Sequence, residues 1–125
     1  MTKYTMTFSV TSNDTAKKLG SGDLDVLGTP RLVAMMEHCA KDLLRKQLKE
    51  EETSVGYKLD LKHLAPTTVG SELTINAELV EQSGNRAFFV LEAYEQDVLV
   101  GKAKHERVVV DSAKFLAKLN QNHNM

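Results

Sequence analysis

The stretch from Thr29 to about Leu48 constrains the fold more than any other. Thr29-Pro30 is a helix start, because threonine is a good N-cap and proline is favoured at the first helical position. Leu32-Val33-Ala34-Met35-Met36, Cys39-Ala40 and Leu43-Leu44 carry the helix forward. Its first half is apolar nearly all round, and its second half is charged on most faces. The first half therefore has to be enclosed by other structure, while the second emerges into solvent.

The rest of the chain supplies strands. Lys3 to Val10 alternates weakly, with Tyr4, Met6, Phe8 and Val10 on one side, and reads as a first strand at an edge. Thr11 to Gly28 is polar and contains Gly20, Gly22 and Gly28. Long connections of this kind are often lids or binding loops. After the helix, strands are expected at Thr53 to Leu64, Ser71 to Glu81, Arg86 to Tyr94 and Val98 to Val110. Ser83-Gly84-Asn85 and Gln96-Asp97 are short turns that make the last three an antiparallel meander. Asp111 to Leu119 is a short closing helix or an irregular end, and Asn120 to Met125 reads as frayed.

With 125 residues, one domain over 1–125 is expected. One enclosed helix cannot be buried by half a sheet unless the sheet curls around it. The expected class is α+β, a curved antiparallel sheet wrapped on one long central helix, the hot-dog fold. A flat α+β sandwich would need a second long helix, and only one is available.

Composition removes several functions. The net charge of −1 gives no field that favours nucleic acid or membrane binding. The single cysteine, Cys39, rules out a disulfide framework and a cysteine-based metal site. The N-terminus lacks a signal-peptide core, and the longest apolar run is about five residues, far short of a membrane span. A reducing, cytoplasmic location is expected.

Three residues carry candidate chemistry. Val55, Tyr57, Leu59 and Leu61 alternate with Lys58, Asp60 and Lys62, and His63 continues the apolar face where the strand ends at Ala65-Pro66. It is either a core histidine satisfied by a carbonyl or a base reaching into a cleft. Glu37 interrupts an apolar run, and an ionised carboxylate is costly to bury unless paired. It either pairs with Lys41 four residues on, or orients a histidine or activates water. Thr29 as N-cap would accept a bond from the N–H of Arg31 or Leu32 while still able to donate its own proton to a base. The helix N-terminus there suits a developing oxyanion.

Val26-Leu27-Gly28-Thr29, followed by Glu37 and Cys39, resembles the helix start of the fluoroacetyl-CoA thioesterase family of hot-dog proteins. Val55-Gly56 with His63-Leu64-Ala65-Pro66-Thr67 is similar to that family's second block, and His105-Glu106-Arg107 to its last strand. The resemblance implies hydrolysis of a short acyl-CoA thioester. It implies Thr29, Glu37 and His63 as the catalytic trio, and Gly56 and Arg107 as substrate contacts. It implies no metal and no cofactor, coenzyme A entering as part of the substrate. The segment Leu19 to Gly28 departs from the specialised fluoroacetyl enzyme in having no aromatic residue.

Geometry adds an expectation. Eight residues separate Thr29 from Glu37, an axial rise of about 12 Å, so the two side chains cannot touch. Either His63 bridges them or they belong to different protomers of a homodimer with sites at the interface, the arrangement favoured here. A non-catalytic acyl-CoA binding module on the same fold is the alternative function. A hydratase is a third, but Asp60 lies on the opposite strand face from His63 and pairs with it poorly.

Overall fold

The computed structural model describes residues 2–123. Helix α2, Thr29–Arg45, presents Leu32, Met35, Met36, Cys39, Ala40, Leu43 and Leu44 as one buried stripe at helical spacing. Five strands curl against it: β1 (Lys3–Ser9), β2 (Glu52–His63), β3 (Glu72–Ser83), β4 (Arg86–Glu95) and β5 (Val98–Asp111), in the spatial order β1-β3-β4-β5-β2, all neighbours antiparallel. The expected meander is β3-β4-β5, and β1 lies at one edge. Leu73, Ile75, Ala77, Phe89, Leu91, Ala93 and Val100 supply the sheet's half of the core. Gly101 on β5 is in close contact with the helix, since a Cβ there would lie 3.0 Å from Leu32 Cδ2. This is the wrapped-helix architecture expected from the single apolar helix.

Two features depart from the sequence pattern. The alternation along β2 is broken by a bulge: Gly56 pairs with Arg107 and Lys58 with Glu106, leaving Tyr57 as an extra residue. Tyr57 therefore turns out to solvent, 63% exposed, with the Arg86 guanidinium over its ring. A one-residue slip swaps faces, so Ser54 and Gly56 point toward α2 before the bulge, and Leu59, Leu61 and His63 after it. At the C-terminus the closing helix α3 runs from Ser112 to His123, through residues expected to fray. Asp111 Oδ1 accepts the Lys114 N–H at 3.0 Å and starts that helix firmly. Asn124 and Met125 lie outside the described residues.

The long connection before α2 is folded. It holds a single 3₁₀ turn at Ser12–Asp14 and a short helix α1, Ala16–Leu19. Asp14 is buried, caps back onto Thr11, and pairs with Arg31 of α2 at 3.0 Å. Only the tip around Gly20 to Asp25 projects, with Leu24 68% exposed.

Candidate active site

Proline ends β2 two residues after Leu64, because it disfavours a regular continuation. Leu64 and Ala65 both donate to the Val100 carbonyl, at 2.7 and 3.2 Å, which pins the strand end. The chain then turns back, and Thr67 O accepts the Leu27 N–H at 2.8 Å while Thr68 bridges Val26. That stitch lies two residues ahead of Thr29, so it brings the end of β2 to the start of α2. As a result Thr29 Oγ1 and His63 Nδ1 lie 2.8 Å apart. They line a cleft of about 330 Å³ floored by Ala16, Leu27 and the Leu64–Pro66 segment. A larger depression of about 790 Å³ crosses the outer sheet face among Lys3, Glu78, Glu92 and Lys104, and none of the candidate residues lines it.

The hydroxyl of Thr29 is available for this bond because Gly28, not Thr29, is the N-cap. Gly28 has extended backbone, no side chain caps the helix, and its carbonyl accepts the N–H groups of Arg31 and Leu32 at 3.0 and 3.2 Å. Thr29 is already the first helical residue. The Thr29 hydroxyl, expected as the cap, makes no cap bond. Burial pushes the His63 imidazole below its ordinary value, and the Ala65 carbonyl offsets part of that. A ring held neutral can take a proton, and the one nearest to Nδ1 is on the Thr29 hydroxyl.

Glu37 is elsewhere. Its carboxylate faces Arg107 Nη1 at 3.7 Å, whereas Lys41 pairs with Asp42 at 3.3 Å. Glu37 is thus not the surface partner of Lys41. Gly56 makes room for it: a Cβ at that position would overlap Glu37 Oε2. Glycine here lets the Glu37 carboxylate come close to the backbone. Arg107 is only 6% exposed. Its Nε donates to Ser54 Oγ at 2.8 Å, its Nη2 to the Ser54 carbonyl at 3.1 Å, and its Nη1 faces His105 Nε2 at 3.2 Å. Arg107, expected as a substrate contact, is the charge partner of Glu37. Burial lowers the Arg107 pKa, and Glu37 offsets part of the shift.

Ser54 and His105 were not anticipated as site residues. The signal for His105 was in the strand: Ala103, His105 and Arg107 recur at every second residue on the buried face of β5. Ser54 was concealed by the bulge.

The candidate residues fall into two clusters within one chain: Thr29 with His63, and Glu37 with Gly56 and Arg107, the last held by Ser54 and His105. With Tyr57 bulged out, Gly56 and His63 are six ladder positions apart, about 20 Å at strand rise. His63 does not bridge Thr29 to Glu37 within the chain. Among the described residues no group of three His, Cys, Asp or Glu could hold a metal ion, and no helix is long and apolar enough to cross a membrane.

The sequence profile of the fluoroacetyl-CoA-specific thioesterases matches residues 10–113. The chain belongs to that family. The fluoroacetyl-CoA thioesterase of Streptantibioticus cattleyicolor is 31% identical over 97 residues, covering 78% of this chain and 70% of that protein. A crystal structure of the fluoroacetyl-CoA-specific thioesterase, in a phenylalanine-to-alanine variant with fluoroacetate and CoA bound, superposes with a TM-score of 0.86 at 27% identity, over 90% of this chain and 95% of that one. A thioesterase superfamily member from Thermus thermophilus superposes with a TM-score of 0.89 at 26% identity, over 98% of this chain and 90% of that one. The fold is the hot-dog fold, and the chain is an acyl-CoA thioester hydrolase. The relatives named here are thioesterases, so they give no support to a binding-only module.

Proposed function

We propose that the protein hydrolyses short acyl-CoA thioesters at a composite site, with Thr29 and His63 from one protomer facing Glu37 and Gly56 from its partner in a cytoplasmic homodimer. The observation that carries this reading is the 2.8 Å contact between Thr29 Oγ1 and His63 Nδ1 at the mouth of a cleft. His63 draws the proton from the Thr29 hydroxyl as the oxygen attacks the thioester carbonyl carbon. The N-terminus of α2 lies beside the developing oxyanion. The imidazolium returns its proton to the departing CoA thiolate. A water that gives a proton to the Glu37 carboxylate then attacks the acyl-threonine carbon, the bond to Thr29 Oγ1 breaks, the proton passes to that oxygen, and the free acid leaves. Arg107, buried beside Glu37, holds that carboxylate in place.

The edge of the sheet supports the dimer. β2 is a twelve-residue edge strand whose outer side has no partner among the described residues. Val33 and Ala34 on α2 are only half-buried, although they belong to the apolar half of the helix. Antiparallel pairing of two β2 edges about an axis at Asp60 sets Lys58 opposite Lys62 of the other copy. With Tyr57 bulged out, the same register sets Gly56 opposite His63 of the other copy. The two half-sites, about 20 Å apart within a chain, then meet across the axis.

The segment that gives Ala16, Ser21, Val26 and Leu27 to the cleft wall holds no aromatic ring. One methylene is worth only about 1–3 kcal/mol of discrimination in an apolar pocket. Several short acyl-CoAs are therefore substrates, without a strong preference for fluoroacetyl over acetyl. Thiol release from a panel of acyl-CoAs tests both statements. Absence of turnover on every short acyl-CoA refutes the activity assignment. A specificity ratio of many thousands for fluoroacetyl over acetyl refutes the reading of the lid.

A further inference from the structure

His105 is 3% exposed, lies outside the cleft, and has no role in the chemistry above. Its surroundings leave it one protonation state. Nδ1 lies 2.7 Å from the Lys58 carbonyl, which can only accept, so Nδ1 carries the proton. Nε2 lies 3.2 Å from Arg107 Nη1, which can only donate, so Nε2 presents its lone pair. An imidazolium would set two N–H groups, and two positive charges, against each other. The Phe89 ring packs on the imidazole at 5.9 Å between centroids and helps to fix its plane.

The two ends of this ring touch the two things that shape the Glu37 half-site. Lys58 is the residue after the bulge, where the ladder between β2 and β5 is interrupted. The bulge is what turns Gly56 toward Glu37. Arg107 is the charge partner of Glu37, and Ser54 occupies its Nε and Nη2, so His105 and Glu37 share Nη1. A single side chain thus ties the bulge to the arginine.

We propose that His105 is a positioning residue for thioester hydrolysis: as a neutral ring with its proton on Nδ1, it clamps the bulged segment of β2 to Arg107 and so fixes Glu37 against Gly56. The proposal rests on the reading of Glu37 as a catalytic group. Without the clamp, Arg107 Nη1 loses its acceptor, the Lys58 carbonyl loses its donor, and Glu37 is no longer held by a rigid partner. The loss falls on turnover rather than on binding, because His105 touches neither the acyl group nor CoA.

His105→Phe keeps a ring beside Phe89 and removes both hydrogen bonds. We expect kcat to fall by about tenfold to a hundredfold, the scale of a misplaced catalytic group, with KM within a few-fold. His105→Gln can offer one donor and one acceptor, and recovers part of the loss. In a Glu37→Gln background, His105→Phe costs no further activity, because the two residues act as one unit. Additive losses, or a drop in activity that merely tracks the unfolded fraction in a melt, overturn the proposal. An inactive Glu37→Gln beside a fully active His105→Phe overturns the positioning role alone; a fully active Glu37→Gln overturns the catalytic reading beneath it. Nitrogen NMR of the wild-type imidazole needs no variant to fold: it reads Nδ1–H and a bare Nε2 at pH 6, and an imidazolium or the opposite tautomer there refutes the clamp.

Discussion

Replacing Gly56 with alanine separates catalysis from stability at this site. The new methyl would overlap Glu37 Oε2, while lying at an ordinary 3.6 Å from Arg107 Nη1. Glu37 has to yield, and restoring a normal contact of about 3.5 Å moves its carboxylate by about 1 Å. The end of a glutamate that is 39% exposed can make that move without disturbing the core. Gly56 is not among the residues with positive φ, so alanine fits the backbone and stiffens the unfolded chain by about 0.4–1 kcal/mol. A weakened, partly exposed ion pair offsets this by a similar amount, about 0–1 kcal/mol. Thermal stability should therefore stay within about 1 kcal/mol of the parent. Activity should not: displacing a reacting group by about 1 Å costs on the order of a hundredfold, or about 2.7 kcal/mol of barrier. Steady-state thiol release on acetyl-CoA, beside a melt of the same sample, reads both quantities. A Gly56→Ala protein with kcat within about threefold of the parent would show that the position of Glu37 against Gly56 is irrelevant to the chemistry.

Three further outcomes follow from the same geometry. His63→Ala should lose about two to four orders of magnitude in kcat with the fold intact, measured by circular dichroism beside kinetics. Thr29→Ser should keep much of the activity, while Thr29→Ala should lose it with little change in melting temperature, because Gly28 is the N-cap; a large destabilisation would contradict that cap assignment. Because burial depresses His63 below its ordinary 6.5, the acid limb of kcat/KM should have its midpoint below 6.5. The unfolded chain then binds more protons than the native one between the depressed value and 6.5, so this contribution to stability is full above 6.5 and is lost as pH falls through the depressed value; His105, also lowered chiefly by burial, acts with the same sign.

The helix and the strand order were legible because they rest on periodicity and on enclosure, both of which are local in sequence. Leu32, Met35, Met36, Cys39 and Leu43 state the buried stripe of α2 outright. Thr29 and His63 were legible as chemistry-bearing residues at element ends, since Thr29-Pro30 and Ala65-Pro66 mark those ends. The Tyr57 bulge was not legible, because Val55, Tyr57, Leu59 and Leu61 read as unbroken alternation; Gly56 alone hinted at irregularity. The cap assignment differed by one residue, within the usual ambiguity of a helix start. The partner of Glu37 was hidden for another reason. A helix pattern offers only partners three or four residues away, such as Lys41, whereas Arg107 arrives through the pairing of β5 with β2.

The bulge also sets Gly56 and His63 on one face of the same edge strand. On a regular strand, residues 56 and 63 point to opposite faces, because side chains alternate with period two. Only the extra residue at Tyr57 sets Gly56 and His63 on the same, helix-facing side. That restored parity is what an antiparallel pairing of two β2 edges requires, since directly opposed residues in such a pair share a face. Tyr57 itself pays no burial penalty, lying in solvent against Arg86 and away from the cleft. Deleting Tyr57 would close the ladder with Gly56 still opposite Arg107 and Lys58 still opposite Glu106, leaving Gly56 and His63 six residues apart and on the same face. Glu37 should therefore keep its place against Gly56, and the deletion should be far milder than an insertion that shifts the parity.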